Sequence, residues 1–245
     1  MGRWRSSGDL WLLEPAAAQA AAPAPLLEFI GGSYLAATPQ LSYRRLLEAM
    51  AQLGWRVRAW SYVPAFDHQQ QANTAWRRFR ELRNELDSPE PVVLRLGHSL
   101  GCKLHLLAPD GGRGCVGLAA LSFNNFSAER SVPLLAELGQ QMGFRSEFSP
   151  SPAATLEQVQ RSYRQPRNLL VRFRSDGIDQ SARLLDALRT RSGDDSQLLE
   201  LPGDHLSPAS GGLRRQMLGR WADDPARARR IEQLATSLND WALRR

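Results

Sequence analysis

Residues 91–107 read Pro91-Val92-Val93-Leu94-Arg95-Leu96-Gly97-His98-Ser99-Leu100-Gly101-Cys102-Lys103-Leu104-His105-Leu106-Leu107. A compact apolar run ends at Gly97, a serine stands between two glycines in the pattern G-x-S-x-G, and residues of helical composition follow. Five residues are a short motif, and its specificity comes from context. The context here is strand, turn and helix, the setting in which the pattern carries chemistry. A sharp turn forces the serine into a strained backbone conformation, and glycines around it let strand and helix approach. The helix amino terminus then offers backbone N–H groups and a positive dipole to a developing oxyanion. Ser99 is therefore expected to be an activated nucleophile at the end of a buried strand.

Outward from this turn the chain alternates strand and helix. Upstream, Leu10–Leu13 reads as a short first strand, and the Ala/Pro-rich run Pro15–Pro25 as a surface loop. Leu26–Ile30 is an apolar run stopped by Gly31-Gly32. Thr38-Pro39 opens a helix with a capping hydroxyl and Pro at the first position, Leu46, Met50 and Leu53 share one face, and Gly54 closes it. Trp55–Val63 is the next strand, and Gln70–Leu86 is a polar helix with Trp76, Phe79, Leu82 and Leu86 on its apolar side. Downstream, Val116–Phe123, Leu169–Phe173 and Leu198–Leu201 read as strands, with Leu184–Leu188 in a helix. Strands separated by helices imply an α/β domain with a mainly parallel sheet and helices on both faces. Ligands of such sheets bind outside the carboxyl ends of the strands. Residues 1–212 are expected to form this domain. The segment 124–166, longer than a plain crossover, is expected to supply a short cap, and the Arg-rich tail 213–245 two helices divided at Asp223-Asp224-Pro225. Ile231, Leu234, Leu238 and Trp241 fall on one face of the second, which suits docking on the sheet.

A serine nucleophile needs a base, and the base needs an orienting carboxylate. Of the four histidines, His98 lies inside the turn and His105 in the following helix, where packing is the simplest role. His68 follows a strand but precedes the serine. His205, in Pro202-Gly203-Asp204-His205, follows the last strand and is the best base. Asp176, just after Leu169–Phe173 and before Gly177, is the preferred acid; Asp179 is the alternative and equally a cap for the helix beginning near Ser181. The order Ser…Asp…His is that of α/β-hydrolases. The oxyanion donors expected are the amide of Leu100 and the amide of Gly32 or Ser33, in the loop after the early strand.

The ordered set Phe29-Ile30-Gly31-Gly32-Ser33, Phe66-Asp67-His68, Gly97–Gly101, Ser122-Phe123-Asn124-Asn125, Ser149-Pro150-Ser151-Pro152 and Asp176-Gly177-Ile178-Asp179-Gln180 resembles domain of unknown function family 1350. The resemblance spans about residues 9 to 212. It implies the α/β-hydrolase fold and a hydrolase-like site, and supplies no substrate. Three features depart from the wider superfamily: Gly31-Gly32 stands where His-Gly is usual, Arg95 interrupts the elbow strand, and Asn124-Asn125 occupies a place where some hydrolases carry the acid. Arg95, Arg172 and Arg174 could accept an anionic substrate group or snorkel along a helix–sheet seam.

The 245 residues and 27.3 kDa fit one well-buried domain, and 42% hydrophobic with 23% charged residues argues against disorder. Two cysteines without a Cys/His cluster exclude a disulfide scaffold and a zinc ribbon, and suit a reducing compartment. Leu10–Leu13 is too interrupted for a signal peptide, so a soluble cytoplasmic protein without a transmembrane segment is expected. The net charge of +6 is carried by 31 basic residues of which Lys103 alone is lysine, with no aromatic-basic interleaving, so nucleic acid is not the expected partner. Eight arginines against four acids from residue 213 onward leave the tail at +4, suited to weak contact with anionic surfaces. These features point to a serine hydrolase acting on a small-molecule ester or thioester, with no metal or organic cofactor. The rival reading is a non-catalytic module of the same fold that binds a hydrophobic ligand or a partner.

Overall fold

The computed structural model describes residues 2–15, 24–84, 92–127, 147–209 and 225–244. Its strands are β1 (Arg5–Ser7), β2 (Leu10–Leu13), β3 (Leu26–Ile30), β4 (Arg56–Trp60), β5 (Val93–His98), β6 (Gly117–Leu121), β7 (Asn168–Phe173) and β8 (Gln197–Leu201). Its helices are α1 (Pro39–Ser42), α2 (Arg44–Gln52), α3 (His68–Asn84), α4 (Leu100–Leu106), α5 (Pro152–Ser162), α6 (Ser181–Arg189) and α7 (Pro225–Leu243). The eight strands form one sheet in the order β1-β2-β4-β3-β5-β6-β7-β8; β1 and β2 are antiparallel and the rest parallel.

Burial explains the apolar runs. The central strands β3, β5 and β6 are buried along their whole length, as strands covered on both faces must be. Alternate residues feed different cores. Phe29, Leu96, Ala119, Leu121 and Val171 pack under α2 and α7, whereas Leu118, Ala120 and Leu170 face α4, α5 and α6. Ile30, Leu10 and Trp60 meet α3 and α4. The stripe Ile231, Leu234, Leu238 and Trp241 of α7 is buried in the first of these cores, each side chain contributing on the order of 1.5–3 kcal/mol. Trp241 sits so close to β6 that a Cβ on Gly117 would lie 2.5 Å from its ring.

Several local expectations change. Leu10–Leu13 is joined by an antiparallel partner, β1, whose exposed Arg5-Ser6-Ser7 carries no apolar signal. The single helix expected from Thr38 to Gly54 divides at Tyr43, which leaves helical geometry (φ −121°, ψ 19°) as its ring turns into the core, and Thr38 makes no side-chain cap. α3 begins at His68 because Asp67 Oδ1 accepts the Gln70 N–H at 2.8 Å, an N-terminal cap the sequence reading passed over. Within the expected cap segment, α5 packs Val159 into the face shared with α6; residues 128–146 lie outside the described residues, as do 213–224 of the tail.

The strand arginines are committed internally. Arg95 pairs with Asp110 (2.6 Å) and Glu28 (3.5 Å), and Arg83 grips Glu28 from α3 (2.6 Å). Arg172 and Arg174 both reach Glu200 on the neighbouring strand, at 2.9 and 3.2 Å.

The register sets where the site must lie. Ile30 pairs with Gly97, Gly97 with Ala120, Leu121 with Val171, and Phe173 with Leu201. The loops beginning at Gly31, Ser99, Ser122, Arg174 and Pro202 therefore leave the sheet along one edge.

Candidate active site

Ser99 occupies a left-handed backbone conformation, φ 54° and ψ −119°, between β5 and α4. Such a position costs about 1–3 kcal/mol and persists only where its surroundings hold it. Two contacts do so here. Ser99 N–H donates to the Leu121 carbonyl at 2.9 Å, and Gly101 runs against β3, where a Cβ would meet the Ile30 carbonyl oxygen at 2.0 Å. Only glycine lets the helix approach the strand this closely.

The three residues expected from chain order meet. His205 Nε2 lies 3.1 Å from Ser99 Oγ, and His205 Nδ1 lies 2.8 Å from Asp176 Oδ2. A carboxylate can only accept, so Nδ1 carries the proton and Nε2 faces the hydroxyl as acceptor. The Asp176 side chain is fully buried while the His205 ring is 20% exposed, which leaves the imidazole reachable from solvent. Burial pushes the Asp176 carboxyl up. The hydrogen bond from His205, the nearby Ser122 hydroxyl and His205 ring, and the Ile178 N–H together outweigh this, and the net shift is downward. Ser122 itself sits in a left-handed conformation (φ 49°) at the end of β6.

Asp179 is placed otherwise. Its carboxylate accepts from Ser181 N–H and Ser181 Oγ, both at 2.9 Å, at the start of α6. Asn125 is also engaged structurally, donating from its side chain to the Pro152 carbonyl at 2.9 Å.

Around Gly31-Gly32 the structure adds residues the sequence did not single out. Gly32 N–H donates to Tyr43 Oη at 2.9 Å, and Tyr62 Oη donates to the Gly31 carbonyl at 2.9 Å. The two phenols thus grip the two ends of one peptide group. The Gly32 amide is spent inside the core, whereas the Ser33 and Leu100 amides meet no protein acceptor among the described residues. Side chains are absent from this loop for lack of room: a Cβ at residue 31 would meet the Tyr43 ring at 2.7 Å, and one at residue 32 would crowd His98 at 3.0 Å and Ser99 at 3.1 Å. That is the physical reason for two glycines where a histidine is usual.

His98 has both ring nitrogens engaged within the protein. It is buried, with Nδ1 2.7 Å from Tyr43 Oη and Nε2 2.8 Å from the backbone carbonyl of His205. Burial, and then the adjacent His205 ring, hold its pKa down at about 3. His105 is likewise buried and bonded to the Leu96 carbonyl, and His68 stacks on Phe148 with ring centroids 4.2 Å apart. Among the described residues, no group of three His, Cys, Asp or Glu side chains is placed to hold a metal ion, and no helix is long and apolar enough to cross a membrane.

Comparison with solved structures agrees with the topology. Est1E from Butyrivibrio proteoclasticus aligns at TM-score 0.60 and 14% identity over 99% of this chain and 97% of its own. A putative hydrolase from Agrobacterium vitis S4 aligns at 0.62 and 14% over 97% of both chains. The esterase Pf2001 of Pyrococcus furiosus aligns at 0.62 and 11% over 98% of this chain and 92% of its own. At these identities the likeness establishes the architecture, an α/β-hydrolase fold with a mostly parallel eight-stranded sheet. No curated protein sequence matches the chain. A family profile does, that of the protein of unknown function DUF1350, over residues 3–233, and the chain belongs to that family.

Proposed function

We propose that the protein is a serine hydrolase that cleaves a carboxylic ester or thioester. The reading rests on the hydrogen-bond chain Ser99 Oγ–His205 Nε2, His205 Nδ1–Asp176 Oδ2, at 3.1 and 2.8 Å, at the carboxyl edge of the sheet. Ser99 attacks the acyl carbon as His205 Nε2 takes its proton, and Asp176 stabilises the imidazolium that forms. The tetrahedral oxyanion takes hydrogen bonds from the amides of Leu100 and Ser33. His205 returns the proton to the departing alcohol or thiol. Water then enters, is deprotonated by the same imidazole, and releases the acid from the acyl-serine.

Exposed apolar side chains along the same sheet edge as Ser99 support an apolar acyl group. Tyr34 follows the Gly-Gly loop and is 83% exposed, and Val63, after β4, is 78% exposed. Phe66, Ile178 and Leu206 are also exposed large apolar side chains on loops at this edge. The same edge would serve a non-catalytic binder of an apolar ligand, and the chemistry of Ser99 separates the two. A fluorophosphonate probe is expected to label the wild-type chain at Ser99. Ser99→Ala should abolish labelling and lower turnover of a p-nitrophenyl ester by about 10⁶. A folded protein that does not label, or an alanine variant with undiminished turnover, refutes the hydrolase reading.

A further inference from the structure

Taking Ser99 as the nucleophile of that proposed reaction, we infer that Tyr43 and His98 are positioning residues. They form a buried one-way relay that joins the oxyanion loop to the loop carrying the base.

The direction of the relay follows from its ends. The His205 backbone carbonyl can only accept, so His98 Nε2 carries the proton in the 2.8 Å bond between them. A neutral imidazole then accepts at Nδ1, and Tyr43 Oη must donate to it at 2.7 Å. The phenol oxygen is left to accept, and Gly32 N–H donates to it at 2.9 Å. Every donor has one acceptor, running Gly32 N–H to Tyr43, Tyr43 to His98, and His98 to His205. The proton-poor state of this ring at neutral pH, with a pKa of about 3, keeps the direction from reversing. Buried chains of this kind hold a single geometry, because any break strands a polar group away from water.

Two consequences reach the reacting atoms. First, the Gly31–Gly32 peptide is held at its nitrogen by Tyr43 and at its oxygen by Tyr62, so it cannot rotate. The following amide, Ser33 N–H, is thereby left on the cleft side. Second, His205 is held at three points: its ring by Asp176 and Ser99, its backbone by His98. One imidazole next to the nucleophile thus fixes both the place where negative charge develops and the place where the proton is received. A relay with no group in contact with substrate should act on the transition state and leave ground-state binding alone.

The test uses the full chain and Tyr43→Phe, which removes one oxygen and keeps the core volume. kcat for a p-nitrophenyl ester is expected to fall about 10- to 100-fold, less than the 10²–10³ lost with a direct oxyanion donor. KM should stay within about twofold, and affinity for phenylboronic acid, whose adduct with Ser99 places an oxygen in the oxyanion site, should fall in parallel with kcat/KM. Amide hydrogen exchange at Gly32 should accelerate. His98→Leu should lose at least as much, and His98→Gln, which keeps a donor toward the His205 carbonyl, should recover part of the loss. If Tyr43→Phe does not fold, Tyr62→Phe breaks the clamp from the other side, with the same split between kcat and KM expected. A folded Tyr43→Phe protein with unchanged kcat overturns the relay, as does a loss of kcat with boronate affinity unmoved. A wild-type chain that neither labels nor turns over ester refutes the hydrolase reading itself, and with it the role assigned to Tyr43 and His98.

Discussion

Replacing Gly101 by alanine tests how closely the serine turn is built against the sheet. The new Cβ would stand 2.0 Å from the Ile30 carbonyl oxygen, 2.6 Å from its carbon and 2.9 Å from the Gly31 carbonyl oxygen. All three are backbone atoms, and β3 is bonded to β4 on one side and β5 on the other, so β3 cannot yield. Ordinary contact needs roughly 3.4 Å, so α4 must move off by about 1.4 Å, taking the Leu100 amide with it. Overpacking of this severity should cost about 3 kcal/mol. In a chain of this size that lowers the melting temperature by about 6–12 °C. Ester turnover should fall by about 10² or more, because a displacement near 1 Å is enough to spoil attack geometry. Thermal melting followed by circular dichroism and a p-nitrophenyl ester assay read the two effects separately. An alanine variant that melts within about 2 °C of wild type and keeps its turnover would show that strand and helix are not packed as described.

The carboxylate provides a second test: Asp176→Asn should keep the fold and drop kcat by about 10⁴, since the amide favours the wrong imidazole tautomer, as steady-state kinetics would reveal. Acid should destabilise the fold through its buried imidazoles. His68, His98 and His105 are each held at a pKa of about 3, mainly by burial, so the unfolded chain binds more protons as pH falls from about 6.5 towards 3. The stability these neutral rings supply is complete above pH 6.5 and declines below it, by up to roughly 1.4 kcal/mol per pH unit for each ring. Urea midpoints at pH 7 and pH 5 measure the slope, and a flat profile contradicts the neutral burial of the rings. Truncation after Asp224 removes Ile231, Leu234, Leu238 and Trp241 from the core beneath the sheet, so the shortened chain should not fold; a soluble, cooperatively melting truncation product would contradict that packing.

The meeting of Ser99, Asp176 and His205 was legible because each follows a strand, and the strands announce themselves as apolar runs ended by glycine or by a polar turn. Gly97, Ser99 and Gly101 carry their meaning locally, and Asp176 and His205 follow from chain order. Nearness to the strand end favours Asp176 over Asp179 in the sequence, but what separates them, the turn of the Asp179 carboxylate toward Ser181, is a side-chain direction that chain order does not carry. Tyr43 was hidden for a different reason. A tyrosine within an apolar helical face reads as core, and only the break in the helix at that residue and the 2.7 Å contact with His98 reveal its polar end. Gly32 and Ser33 could not be told apart either, since their neighbouring amides diverge only once Tyr43 is in place. β1 was missed because a short edge strand of exposed Arg5-Ser6-Ser7 buries nothing that a pattern could register.

Among the described residues β8 borders the sheet, bonded to β7 alone and with none of its residues fully buried. The imidazole on which the proposed turnover depends thus follows an edge strand, while the alcohol it would serve follows β5, a strand buried along its whole length. Margins of this kind loosen before the interior does. On gentle heating, hydrolysis should therefore fade at a lower temperature than the one at which the molecule melts, and cooling from that interval should bring it back.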